Sequence, residues 1–228
     1  MTITGPRLRP SGRGVAMLRG AAAGALLLAL AGCSLLGGGN RDLATIYAPD
    51  PKVTIAPSAP AVDWQLVLTP PQAARMVDSL RIAVRPTPGE VQVYRGASWA
   101  KPPPAMIEDT LLRALEDSGR ISGVARQGTG ISPDYKLALE LRRFESDYGG
   151  GPSPAATIEF NAKLIHVRDQ LVVASRTFSH AEPAGGTAIP LVADAFTRGM
   201  EGLVGELGLW ILTEGDAYQR RAHPTVVR

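Results

Sequence analysis

The chain has 228 residues, 45% of them hydrophobic and 20% charged, with 3 histidines and a single cysteine. That length fits one or at most two domains, and the apolar content can fill a core, which excludes wholesale disorder. One cysteine excludes an intrachain disulfide framework and any cysteine-rich zinc site; the formal charge of +3 invites a nucleic-acid reading, but aromatics at 5% leave little material for base stacking.

Residues 1–20 carry Arg7, Arg9, Arg13 and Arg19 and no acid. Ala21 to Ala31 is an apolar run too short to span a bilayer. A basic segment followed by such a run has the form of a signal peptide, covering residues 1–32. The run ends in Leu30-Ala31-Gly32-Cys33, which resembles the bacterial lipobox. The small residues let a peptidase close on the scissile bond. Cys33 supplies the thiol for a diacylglycerol and, after cleavage, a free amine for a further acyl chain. The plainer alternative is a free cysteine in an ordinary secretory signal. Against it, the one cysteine stands where a lipobox requires it. Met17 would also serve as a start, since Met17-Leu18-Arg19-Gly20 is already basic. Two or more acyl chains anchor stably, at about 0.8 kcal/mol per buried CH₂. Ser34 follows Cys33. An aspartate there commonly retains Gram-negative lipoproteins at the inner membrane, so serine implies the outer membrane, periplasmic side. Cleavage before Cys33 removes four arginines and no acid. The 24 basic residues become 20 against 21 acidic ones, so the charge passes from +3 to −1. The case for nucleic acid loses its main support.

Residues 33–61 are rich in glycine and proline and read as a tether, with a short strand near Thr45-Ile46-Tyr47. A single domain follows over 62–213. Asp63 to Leu68 alternates as a strand and stops at Pro70-Pro71; Ser79 to Arg85 and Glu90 to Tyr94 are two more. Pro102-Pro103-Pro104 opens a helix whose apolar positions recur at helical spacing to Leu115, with Glu108 and Asp109 in its first turns and Gly119 as its stop. Ile121 to Arg126 is a short strand. Asp134 to Arg143 alternates, with Tyr135, Leu137, Leu139 and Leu141 inward; Phe144 breaks the parity and predicts a bulge. Ala155 to Val167 and Leu171 to His180 are further strands. A second helix runs from near Thr187 to near Thr213 on a stripe including Val192, Phe196, Met200, Leu207 and Trp210. Residues 214–228 read as a loose tail. The order β-β-β-α-β-β-β-β-α predicts a two-layer α/β (α+β) sandwich, a largely antiparallel sheet with two helices on one face.

No phosphate loop, nucleophile elbow or His-Glu-x-x-His motif occurs, and the reading is of no enzyme, no metal site and no cofactor. His166 and His180 fall near the ends of neighbouring strands and read as ordinary polar residues, as does His223 in the tail. Glu140 and Glu145 have opposite parity before the bulge, which argues against an acid–base pair. Gly128-Thr129-Gly130 is not followed by a helical pattern, which disfavours a phosphate cradle. The Phe196, Met200 and Trp210 stripe reads as core in preference to a lipid groove. Trp99 lies between a strand and a proline-started helix, close after Tyr94. It is either a packing plug or, with Tyr94, an anchor for a partner.

The series Leu80 to Arg85, Val91 to Tyr94, Ala97-Ser98-Trp99-Ala100 and the proline-started helix resembles the ABC-type transport auxiliary lipoprotein family. The lipobox, Tyr47 and the strand Leu139-Glu140-Leu141 with Phe144-Glu145 belong to the same likeness. It covers roughly Tyr47 to Leu212, and Ala48-Pro49-Asp50-Pro51 departs from the family's aliphatic pattern. The resemblance implies a non-catalytic partner of Mce-type transport systems for phospholipid or other hydrophobic solutes. Such systems hold an ATPase, a permease and an Mce-domain substrate-binding protein, which the lipoprotein docks or receives from at the outer membrane. A homo-oligomer stays open. A structural or regulatory lipoprotein that activates a cell-envelope enzyme is the alternative, and neighbouring genes separate the two.

Overall fold

The computed structural model describes residues 44–222, together with Gly5. The chain divides between Leu43 and Ala44. The described residues form nine strands and two helices, in chain order: β1 (Thr45–Tyr47), β2 (Val62–Leu68), β3 (Gln72–Ala73), β4 (Arg81–Arg85), β5 (Gln92–Trp99), α1 (Pro103–Ser118), β6 (Ile121–Arg126), β7 (Tyr135–Asp147), β8 (Ala155–His166), β9 (Leu171–Pro183) and α2 (Ile189–Ala222).

The fold is the expected α+β sandwich. Strand β7 is its spine. One edge of β7 pairs along its length with β8, and β9 extends that meander, both antiparallel. The other edge takes three parallel partners end to end: β2 at Tyr135–Leu137, β3 at Glu140–Leu141 and β4 at Glu145–Asp147. Outside these, β6 joins β2 in parallel, β5 joins β4 antiparallel and β1 joins β5 in parallel. The long ladders are thus antiparallel and the short ones mostly parallel.

Alternation built the spine as expected. Tyr135, Leu137, Leu139 and Leu141 are buried, Glu140 and Arg142 exposed. The register slips between Leu141 and Arg143, which returns Phe144 to the core. Helix α1 starts on prolines that need no partner for a missing N–H. It ends at Gly119, whose φ of 60° is the left-handed conformation glycine adopts without strain. Glu108 and Asp109 lie one turn beyond the first, where they meet Arg126 in place of the helix dipole. Both helices share one core with the sheet, centred on Leu66, Ile82, Leu111, Phe144, Phe160, Phe196 and Leu207.

Two expected boundaries move. Residues 45–61, assigned to the tether, belong to the domain: β1 pairs with β5, and Ile55 and Ala59 are buried. Arg120 holds this segment by donating to the carbonyls of Ala59 and Pro57. Its prolines stiffen the backbone, Pro57 within a turn that the Ala59 N–H closes on the Ala56 carbonyl, while Val53 and Ile55 lie against the helices, so composition mistook a strap for a linker. At the other end α2 does not stop near Thr213 but continues to Ala222. The Trp64 ring fills the space over Gly215, the Tyr135 hydroxyl donates to the Gly215 carbonyl, and the Tyr218 hydroxyl donates to Asp169. Residues 223–228, with His223, lie outside the described residues.

Candidate functional site

Cys33 and the lipobox lie outside the described residues. Trp99 is 1% exposed, a core residue and not a surface anchor. Its ring stands edge-on to Phe144 and Phe196, centroids 5.8 and 5.2 Å away, while those two rings stack on each other at 4.4 Å. The loop expected around it is the end of β5, and strand alternation turns Trp99 inward. Tyr94 goes with it: half-buried at the core margin, its hydroxyl is 2.9 Å from Ser146 Oγ, and burial raises its pKa. Trp99 therefore takes the packing role of the two expected for it, and Tyr94 keeps only part of its ring exposed.

His166 and His180 are not brought together. His166 sits at the β8–β9 hairpin with Nδ1 2.9 Å from Asp169, whereas His180 lies opposite Ile158 and contacts Glu182. Glu140 is exposed, and Glu145 is buried beneath Arg85 and Arg143, so the two do not act as a pair. Gly128, Thr129 and Gly130 form an exposed turn without a following helix. Phe196, Met200 and Trp210 are core.

Two charged features remain. The first is a ladder on the sheet face away from the helices. Arg85 grips Glu145 with two bonds of 2.9 Å, and Arg143 bridges Glu145 and Asp147. Burial pushes the Asp147 carboxyl up, but the Gly149 N–H and Arg143 outweigh it and hold the group below its ordinary value.

The second is an open groove of about 690 Å³ between the strap after β1 and the flank of α1. Its floor is apolar, from Ala48, Pro49, Met106 and Leu112, and its rim is charged. Lys101 and Arg126 both reach Asp109, and Arg113 reaches Asp50, 3.2 Å away. Burial raises Asp109, but those two cations prevail and lower it; burial raises Glu108, with Arg126 opposing. Lys52 and Arg113 lower Asp50. Each rim charge is neutralised by a neighbour, which suits reversible contact with another charged surface and supplies no activated nucleophile. Among the described residues no group of three metal-ligating side chains forms. Sequence reading missed the groove because its walls come from three separate segments, near residues 48–50, 100–113 and 126.

A family model described as the ABC-type transport auxiliary lipoprotein component matches residues 45–208. Among solved structures, the chain is similar to protein XCC0632 from Xanthomonas campestris, of family DUF330, at 54% identity. That match covers 78% of this chain and 99% of that one, with a TM-score of 0.75. An uncharacterized protein is similar at 15% identity, covering 70% of this chain and 99% of its own, with a TM-score of 0.55. The PelC dodecamer from Paraburkholderia phytofirmans is similar at 13% identity, covering 67% and 93%, with a TM-score of 0.43. No curated protein matches the chain. The match begins at β1 and runs deep into α2, so it spans the whole sandwich, strap included. The chain belongs to the ABC-type transport auxiliary lipoprotein component family.

Proposed function

We propose that the chain is an outer-membrane-anchored periplasmic component of an Mce-type ABC transporter for phospholipid or other hydrophobic solutes. It acts by binding, docking or receiving from the Mce-domain protein that the permease and ATPase carry. The observation that carries this reading is the family match over residues 45–208. The lipobox at Leu30 to Cys33 supports it. The segment from Cys33 to β1 extends at most about 40 Å. An acylated Cys33 would therefore hold the strap and its groove close to the membrane. The groove's apolar floor and self-neutralised charged rim fit a docking surface for a charged protein partner.

Tagged full-length chain, solubilised from its own membranes, should co-purify with the Mce-domain protein. Arg126→Glu, which turns a rim cation into an acid beside Glu108 and Asp109, should weaken that recovery severalfold. Recovery of the chain without any Mce-domain protein refutes the assignment. Equal recovery with Arg126→Glu moves the docking face elsewhere.

A further inference from the structure

Strand β9 is an outer edge of the sheet. Among the described residues its strand partner is β8 alone. The Ala184 N–H donates to the Pro154 carbonyl at 3.0 Å, which fixes the parity of that ladder. Even-numbered residues of β9 turn their backbone groups toward β8 and odd-numbered ones turn them outward. The outward groups belong to Ser175, Thr177, Ser179 and Ala181, and no backbone partner meets them among the described residues. Pro183, the next outward position, has no N–H to satisfy. Sheets usually guard such an edge with lysine, proline or a very short strand. The run from Leu171 to Glu182 contains neither residue; its bulge falls before Ser175, its Arg176 and Glu182 are tied to α2, and Leu171 and Val172 at its start are exposed.

The charges beside this edge repeat in reverse. Arg176 pairs with Glu206 of α2, and Glu182 with Arg198 at 2.9 Å. Ser179 is midway between Arg176 and Glu182, and Gly202 is midway between Arg198 and Glu206. The two ion pairs hold both midpoints at one level. A half-turn about an axis through that level sets Arg176 opposite Glu182 of a second copy and Arg198 opposite its Glu206. Like charges would meet if either pair were reversed.

The glycines of α2 add a third observation. A Cβ on Gly199, Gly205, Gly208 or Gly215 would meet Ile158, Thr54, Ile55 or Trp64 of the same chain. A Cβ on Gly202 would meet nothing within 4 Å among the described residues. Glycine inside a helix costs about 1 kcal/mol against alanine, and here no neighbour among the described residues explains it. Because α2 packs over β8 and β9, joining two β9 edges at the usual strand spacing sets the two α2 axes about 10 Å apart, a normal helix-packing distance. They would pass each other at Gly202.

We propose that β9 pairs antiparallel with β9 of a second copy, in register about Ser179, making a two-fold dimer with one continuous sheet and adjacent α2 helices.

The test uses full-length chain in detergent with Cys33→Ala. Ser179→Cys, at the axis, should form a disulfide-linked dimer under mild oxidation, while Ser122→Cys on β6 should not. A chain with Arg176→Glu, Glu182→Arg, Arg198→Glu and Glu206→Arg keeps every pair within itself and with its own copies. It should dimerise with itself and not with wild type in native mass spectrometry. Gly202→Leu should abolish the Ser179→Cys cross-link with the circular dichroism unchanged. Free mixing of wild-type and inverted chains overturns the proposal, as does cross-linking of Ser179→Cys no faster than Ser122→Cys. If the inverted chain does not fold, the two cysteine variants decide alone.

Discussion

The glycines of α2 allow one substitution to be tested with three signs in one helix. A Cβ on Gly215 would lie 2.4 Å from Trp64 Cζ2 and 3.0 and 3.1 Å from its Cη2 and Cε2. No indole can yield there without leaving the core, since Trp64 also packs on Tyr135 at 4.6 Å. A Cβ on Gly208 would lie 2.7 Å from Ile55 Cδ1, the tip of a side chain that can rotate. At Gly202 the space is open among the described residues. Glycine to alanine inside a helix gains about 1 kcal/mol from backbone entropy and propensity. Overpacking a filled site costs about 1–3 kcal/mol. Gly202→Ala should therefore stabilise by about 1 kcal/mol, and Gly208→Ala should be near neutral. Gly215→Ala should lose about 1–2 kcal/mol net. For a domain of this size each kcal/mol moves Tm by about 2–4 °C. Thermal unfolding followed by circular dichroism, on dilute monomeric protein, ranks the three. In a double-mutant cycle with Trp64→Phe the penalty of Gly215→Ala should shrink, since the phenyl ring lacks the atoms in closest conflict. A Gly215→Ala protein that melts at or above wild type refutes the reasoning. So does a Gly202→Ala protein that melts below it.

Trp99→Ala should cost about 3–5 kcal/mol in urea unfolding, and Trp99→Phe less than half as much, because the indole N–H it removes is buried without a partner among the described residues. Glu145→Gln leaves Arg85 and Arg143 facing each other; the loss should be about 1–2 kcal/mol, below that of a fully buried pair because solvent reaches both arginines. Asp147 is held below its ordinary pKa in the fold, so the unfolded chain takes its proton first. Stability should fall as pH drops below about 5, and Asp147→Asn should show a shallower acid limb in pH-dependent urea titrations. Cys33→Ser should remove fatty-acid labelling and release the chain from the membrane fraction; labelling that persists places the acyl chain elsewhere.

Much of the sandwich was legible because two of its three long strands alternate without interruption, from Tyr135 to Leu141 and from Ala156 to Leu164. The bulge before Phe144 was legible for the same reason: a broken parity in an otherwise regular strand has few causes. What period cannot encode is partner choice. Nothing in the pattern of Val62 to Leu68 or Arg81 to Arg85 tells that both lie along one edge of β7, in parallel and end to end. Nor can it reveal β3, two residues long and defined only by its neighbour. The strap failed because proline content marks a stiff segment as readily as a loose one, and burial of Ile55 is decided by helices far along the chain. The end of α2 failed because polar residues past Thr213 masked Gly215 and Tyr218, which pack or bond to other elements. Trp99 was misplaced by its neighbours: Gly96, with φ of 65°, looked like a loop and is a kink within β5.

The position of β7 governs how the chain assembles. Strands β7, β8 and β9 are joined by short hairpins and can form from local sequence, whereas β2, β3 and β4 are joined to one another only through β7: without it β4 has β5, β2 has β6, and β3 has no strand to pair with. Synthesis delivers these strands first. Each keeps open the edge that β7 will fill until residue 147 has emerged. Non-local closure of this kind is slow. The N-terminal half is therefore the portion most in need of a chaperone, and the arrival of β7 converts it from a liability into a sheet.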